Sequence, residues 1–483
     1  MVTNVDLAAA RWRVELASQR LWLQETVFVD APAGPTLTLR RAAVITLIGG
    51  GSVVILLLRM WRSSPLNSIW GEDGYIFLSD AIHRGFLHSL VLPYNGYLQT
   101  SSRLVAEPIS RLPVTWFAPS MAVAGAVIVT VCALLVWRSS SGLIKNPYLR
   151  AALASMVVLL PVVGVETLDN VVNTIWFLFF LTFWVLLWRP STAAGASAAG
   201  AFLFLAAVSN GGVVLLAPLW LLRLVAMRDR RDTIMVSAFA VGIVVQFSYS
   251  WNHLNQLGEG SKVATSSAIC ELTKSACSGG GLHLALLPAY AQRVMGGALA
   301  GQTVSAYLWI HLGSTFEVIL AALLVLILIL VIVRTHGAPR FLVPFAVAMS
   351  LVVFLVSGYQ RWTSAGRLFL WPSGSSPTSN AHYMVVPSLL LLSAVFIFLD
   401  VPSLGMSAPT WNLIRGSAAA LVIVAALFSF NVANHEMRGT PTWSRALADA
   451  SAKCDPGTRT AMVEINPSNV FVIAMPIPCA RIR

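Results

Sequence analysis

Charge is scarce in this chain of 483 residues: Asp, Glu, Lys and Arg together make up 11% of it, against roughly 25% in soluble domains. That deficit excludes an ordinary water-soluble enzyme. Nucleotide-handling signatures are missing as well, with neither a Walker A lysine loop nor a dinucleotide glycine fingerprint, which disfavours an ATP-driven pump. The first 40 residues do not read as a signal peptide, because Arg11, Arg13, Glu15 and Arg20 interrupt the stretch from Ala8 to Leu23. The net charge of +12 does not indicate nucleic acid, since the 32 Lys and Arg are scattered through short loops.

What is present is apolar sequence in long runs, 57% of the chain. Windows of about 20 residues, enough to cross ~30 Å of hydrocarbon, recur near 42–60, 116–137, 151–167, 171–188, 193–209, 211–227, 233–250, 314–333, 341–357, 384–400 and 413–431. The expected fold is an all-α polytopic membrane protein of about eleven transmembrane helices with large extracytoplasmic loops. Three parts follow: a segment over 1–40, a transmembrane domain over 41–431 and a small C-terminal cap over 432–483. In the first, Trp12, Leu16 and Leu23 share a stripe, so an amphipathic helix lying on the cytoplasmic membrane face is expected.

Arg40 and Arg41, the group Arg138, Lys145 and Arg150, the group Arg228, Arg230 and Arg231, and the pair Arg334 and Arg340 all fall on one side. The positive-inside rule makes that side cytoplasmic and places the chain in the plasma (inner) membrane with its C-terminus outside. Cys270, Cys277, Cys454 and Cys479 then lie on the oxidising side, where the expected pairs are Cys270 with Cys277 and Cys454 with Cys479, although four cysteines allow three connectivities. The tail stretch TAMVEINPSNVFVIAMPIPC suggests one or two short strands.

Unusual polar residues gather in the outer segments. The first loop contains WGEDGYIFLSDAIHRG, in which Glu72 and Asp73 sit side by side between Gly71 and Gly74. Such a pair suits a sharply turned site where a base approaches substrate, and like charges push one carboxyl pKa upward. The plain alternative is a solvated acid pair or a helix cap. Glu166, Asp169, Asn170, Asn173 and Trp176 cluster at the outer ends of the third and fourth spans, as either a binding site or a capped hairpin. Tyr94, Tyr97 and Trp70 are candidates to stack on a sugar, or are interfacial anchors. His83, His88, His253, His283, His311 and His382 show no metal-ligand spacing, so no metal ligand is assigned.

The acid pair just after the first span, together with YNGYLQTSSRLVAEP, ETLDNVVNTIW and SNGGVVLLAPLWLLRL, resembles bacterial members of the GT-C superfamily of membrane glycosyltransferases. The likeness covers the first 230 or so residues best, and the tail PIPCARIR is similar too. It implies a sugar donor on polyprenyl phosphate and an acceptor hydroxyl on a cell-envelope glycan, lipid or protein. It also implies a first-loop acid as general base, with Asp73 as base and Glu72 as its partner. Asp80 is a weaker third candidate, and the Glu-Asp order departs from the Asp-Asp of many members. A divalent cation, Mg or Mn, beside Glu72 and Asp73 stays open.

Sugar transfer also needs a cation for the departing phosphate, and a guanidinium grips phosphate oxygens in two places. Arg361 and Arg367 in GYQRWTSAGR lead, with Arg293, Arg103 and Arg84 as further candidates, and the plain alternative for each is an interfacial anchor or headgroup contact. The competing reading is a polytopic transporter or lipid-carrier flippase, against which no inverted repeat is evident. A lipid-carrier ligase lacking the acidic base and a purely structural scaffold are further alternatives.

Overall fold

The computed structural model describes residues 4–32, 38–168, 170–253, 282–365, 381–432, 440–466 and 473–482. Among them, seven helices are long and apolar enough to cross a bilayer: Leu39–Arg59, Val114–Gly142, Arg230–Asn252, Ser314–Arg334, Ala338–Gly358, His382–Leu399 and Ala408–Phe428. The protein is a mainly helical, multi-pass membrane protein. The other four apolar windows hold shorter helices, Pro147–Leu159, Thr174–Leu187, Ala193–Ala207 and Gly211–Ala226.

The first of these starts cleanly, with Asn146 Oδ1 accepting from the Tyr148 amide at 2.9 Å and Pro147 in the first helical position. It ends because of Pro161, which forces the preceding residue out of helical geometry: Leu160 has ψ 123°. Thirteen residues of helix rise only about 20 Å. The expected span 151–167 therefore stops early, and the chain from Leu160 to Asn173 carries apolar side chains on mostly non-helical backbone. Buried amides need partners there. The next helix, Thr174–Leu187, is apolar on every side and lies at the centre of the bundle, where Trp184 Nε1 donates to Ser393 Oγ at 3.2 Å.

Hydrogen bonds collect the connections at two ends of the bundle. At one, Asp400 accepts from the Lys145 and Asn146 amides at 2.7 and 2.9 Å, and Arg189 bonds Asp30, Asp229 and Asp232. At the other, buried Arg59 donates to Val158 O at 2.6 Å, Leu160 O at 2.9 Å and Phe430 O at 3.2 Å, tying the first span to the broken helix and the last span.

The N-terminal helix forms over Asn4–Thr26, and its end packs against the bundle. Leu23, Val27 and Phe28 are in the protein core, and Gln24 Nε2 donates to Ala226 O at 3.0 Å. Packing against the bundle buries this end of the stripe. The side chains of Trp12 and Leu16 lie outside the described residues.

The C-terminal segment forms a small α+β cap. Helix Trp443–Ser451 packs on an antiparallel hairpin of β1 (Thr460–Ile465) and β2 (Ile473–Pro478), in register from Thr460 opposite Pro478 to Ile465 opposite Ile473. Strand β1 buries Ala461, Val463 and Ile465 in alternation. Cys454 and Cys479 are joined in a disulfide with their Cα atoms 5.6 Å apart. Cys270 and Cys277 lie outside the described residues.

The cap shares a hydrophobic core with the first loop, including Ile69, Phe77, Val171, Val172, Trp443 and Val463. Asn466 N donates to Ile69 O at 3.0 Å and Trp443 Nε1 to Val114 O at 2.9 Å. Gly74 lies against the cap, where a Cβ would stand 2.7 Å from Ile465 Cδ1. The cap thus packs directly onto the turn that carries the acid pair.

Candidate functional site

Glu72 and Asp73 open a wide turn of π-helix, Asp73–Leu78, and their side chains serve different ends. Asp73 is 1% exposed, and its carboxylate accepts from the Val171 amide at 2.7 Å and the Val172 amide at 2.8 Å. Those amides belong to the break between the two short helices, so Asp73 supplies the acceptors that the lost helical turns would have provided. Burial pushes its carboxyl up to about 7, against the pull of the two amides, and the neighbouring charge of Glu72 adds to the rise.

Glu72 is only half-buried. Burial raises its pKa too, with Glu166 pushing the same way, while His382 and a hydrogen bond with Trp70 pull it down. Glu166 is paired: its Oε1 lies 2.9 Å from His382 Nδ1. Trp176 stands beside that pair, 5.8 Å from the His382 ring and 5.3 Å from the Tyr383 ring. Arg293 is fully buried in the turn Tyr290–Gly296. Burial lowers its pKa to about 10, and the Glu166 charge opposes that shift. Four ionisable side chains from four separate parts of the chain therefore act on one another. Trp70, Glu72, Trp176 and His382 all keep accessible surface, so the group opens outward.

Asn170 and Asn173 hold the broken segment in shape. Asn170 Nδ2 donates to Glu166 O at 2.7 Å, Asn173 Nδ2 donates to the same carbonyl, and Asn173 Oδ1 accepts from Trp176 Nε1 at 3.2 Å. A Cβ at Gly125 would stand 2.8 Å from Asn170 O, so the helix behind presses on this backbone. These amides position Glu166 and Trp176. Asp169 lies outside the described residues.

Among the described residues, Arg103, Arg84 and Asp80 form a separate set. Arg103 is buried, donates to Asp80 Oδ2 at 2.9 Å and stacks over Phe77 at 5.3 Å, while Arg84 takes Asp80 Oδ1 at 3.1 Å. Asp80 is therefore engaged by two arginines. Tyr94 and Tyr97 bond each other across the Asn95-Gly96 turn, whose central φ values of +50° and +81° are those of a tight hairpin. Tyr94 packs on Phe77, so this half-buried pair braces the first loop. Arg361 lies in helix Ala338–Ala365 with its side chain outside the described residues, as is all of Arg367.

His83, His253 and His311 each bond the carbonyl four residues earlier, and His88 is exposed. The side chain of His283 lies outside the described residues. Among the described residues, no three His, Cys, Asp or Glu are grouped to hold a metal ion. Each Asp73 oxygen already accepts one backbone amide. The pairing of His382 with Glu166 escaped the sequence reading, although both stand at outer ends of apolar windows, which was the available signal.

No family model matches the chain, and no curated protein is similar to it.

Proposed function

We propose that the protein is a glycosyltransferase that moves a sugar from a polyprenyl-phosphate donor to a hydroxyl of an envelope glycan, lipid or protein, at the outer face of the plasma membrane. The short apolar helices count as crossings in this reading, giving eleven and an extracytoplasmic C-terminus. The observation that carries the reading is the outward-opening group of Glu72, Glu166, His382 and Arg293 beside Trp70 and Trp176. It combines a raised carboxyl, a buried cation and aromatic faces of the kind that stack on sugars.

Glu72 is the general base, in place of Asp73. A raised carboxyl pKa suits proton abstraction near neutral pH, and Glu72 is accessible where Asp73 is closed off by two amides. The acceptor hydroxyl passes its proton to Glu72 as its oxygen bonds to the anomeric carbon. The bond from that carbon to the phosphate oxygen breaks, and the electron pair leaves with polyprenyl phosphate. Arg293 supplies positive charge for the departing phosphate. The pair His382 and Glu166 orients the acceptor.

A transporter or lipid-carrier flippase is the second reading, favoured by the non-helical break between the short helices Pro147–Leu159 and Thr174–Leu187, since interrupted helices are a feature of transport sites. Membranes containing the chain, given a panel of radiolabelled polyprenyl-phosphate sugars and an envelope extract, distinguish the two. Transfer releases free polyprenyl phosphate and labels the acceptor. Movement of intact donor across the bilayer, with no release, supports the flippase instead.

A further inference from the structure

A groove of about 1040 Å³, with Arg40, Arg41 and Arg138 among its lining residues and Glu72 not among them, opens between helices Leu39–Arg59, Phe117–Ser139 and Pro147–Leu159. Its walls are Val44, Ile45, Ile48, Ile55, Leu134 and Leu159, with Ser52 and Ser155 among them. From Arg41 to Ile55 the first helix rises roughly 21 Å, most of the way across the hydrocarbon. Arg40, Arg41, Arg138 and Thr38 line the mouth beside Trp137, which is 43% exposed.

Two features decide what belongs there. None of the lining residues is Asp or Glu, and among the described residues no carboxylate lies within ion-pair distance of Arg40 or Arg138. Arg138 donates only to neutral oxygens, Ser141 Oγ and Pro32 O, both at 3.1 Å. Arg40 and Arg138 therefore keep their positive charge at the mouth. The walls are apolar, and two of the three helices, Leu39–Arg59 and the one over Phe117–Ser139, are long and apolar enough to cross the bilayer, so the groove faces hydrocarbon in a membrane.

We infer that this groove is a binding site for an anionic phospholipid, with an acyl chain along Val44, Ile48 and Ile55 and the headgroup phosphate between Arg40, Arg41 and Arg138. A zwitterionic lipid would fill the walls equally well but, with no net charge, would leave the charge of Arg40 and Arg138 unbalanced. The site is independent of the proposed transfer chemistry.

Native mass spectrometry of the full chain in detergent, titrated with phosphatidylglycerol or phosphatidylcholine, tests it. One phosphatidylglycerol should bind about tenfold more tightly than phosphatidylcholine, and R40Q/R41Q should erase that preference while leaving phosphatidylcholine binding unchanged. Ala154→Phe, which fills a wall and keeps every arginine, should weaken both lipids. Equal affinity for the two lipids overturns the inference, as does a preference that survives R40Q/R41Q. Unaltered phosphatidylglycerol binding by Ala154→Phe, or retention of polyprenyl phosphate in preference to phosphatidylglycerol, also overturns it.

Discussion

Both ends of the bundle bury charge, and they compensate it differently. At the end near Asp30, Arg189 reaches Asp229 at 2.8 Å and Asp232 at 3.3 Å, while Arg223 takes the other Asp232 oxygen at 2.9 Å. Asp232 and both arginines are buried, and each charge faces an opposite one. At the end near Glu72, two carboxylates adjoin in sequence, a third lies close, and the nearest cations are one histidine and one buried arginine. The first arrangement ties helices together. The second leaves one accessible carboxyl, Glu72, with a raised pKa, which is the condition for proton transfer.

The comparison predicts separate consequences for each end. Glu72→Gln should lower transfer by about 100-fold or more, the usual weight of a general base, with the unfolding temperature unchanged. An equal loss of stability would make Glu72 structural. Asp232→Asn, at the other end, should destabilise the fold by about 3–5 kcal/mol, because Arg189 and Arg223 lose their shared buried partner. Thermal unfolding in detergent measures this, and activity per folded molecule should hold.

Cutting the Cys454–Cys479 bridge with serines opens a 25-residue loop and should cost about 3 kcal/mol of cap stability in the chain-entropy account. Proteolysis of the tail reads that loss. Asp73→Asn should cost about 1–3 kcal/mol, since an amide accepts from only one side and sets its own N–H against the Val171 or Val172 amide.

That last variant also carries a pH signature. The Asp73 carboxyl titrates near 7 in the fold and near 3.8 when exposed, so the folded state holds the extra proton between those values. The resulting stability is present in full below about pH 4 and is lost as the pH rises through about 7. Asp73→Asn should flatten that slope between pH 5 and 8.

Hydropathy placed the apolar segments well, because burial in hydrocarbon selects composition directly. It could not register the break after Leu159, where valines and leucines continue while Pro161 ends the helix. The acid pair is legible in the sequence as a candidate site, but the different surroundings of its two carboxyl groups are not. Which carboxylate is consumed by backbone amides depends on Val171 and Val172, about a hundred residues downstream. His382 was hidden for the same reason, since its partner Glu166 is 216 residues away. The N-terminal helix showed its stripe, yet only tertiary contact reveals that Leu23 faces protein.

The most direct test compares Glu72→Gln with Asp73→Asn in the transfer assay, with rates expressed per folded molecule. The account predicts that Glu72→Gln abolishes transfer while Asp73→Asn, although less stable, retains most of it. Loss of transfer in Asp73→Asn alongside an active Glu72→Gln would contradict the account.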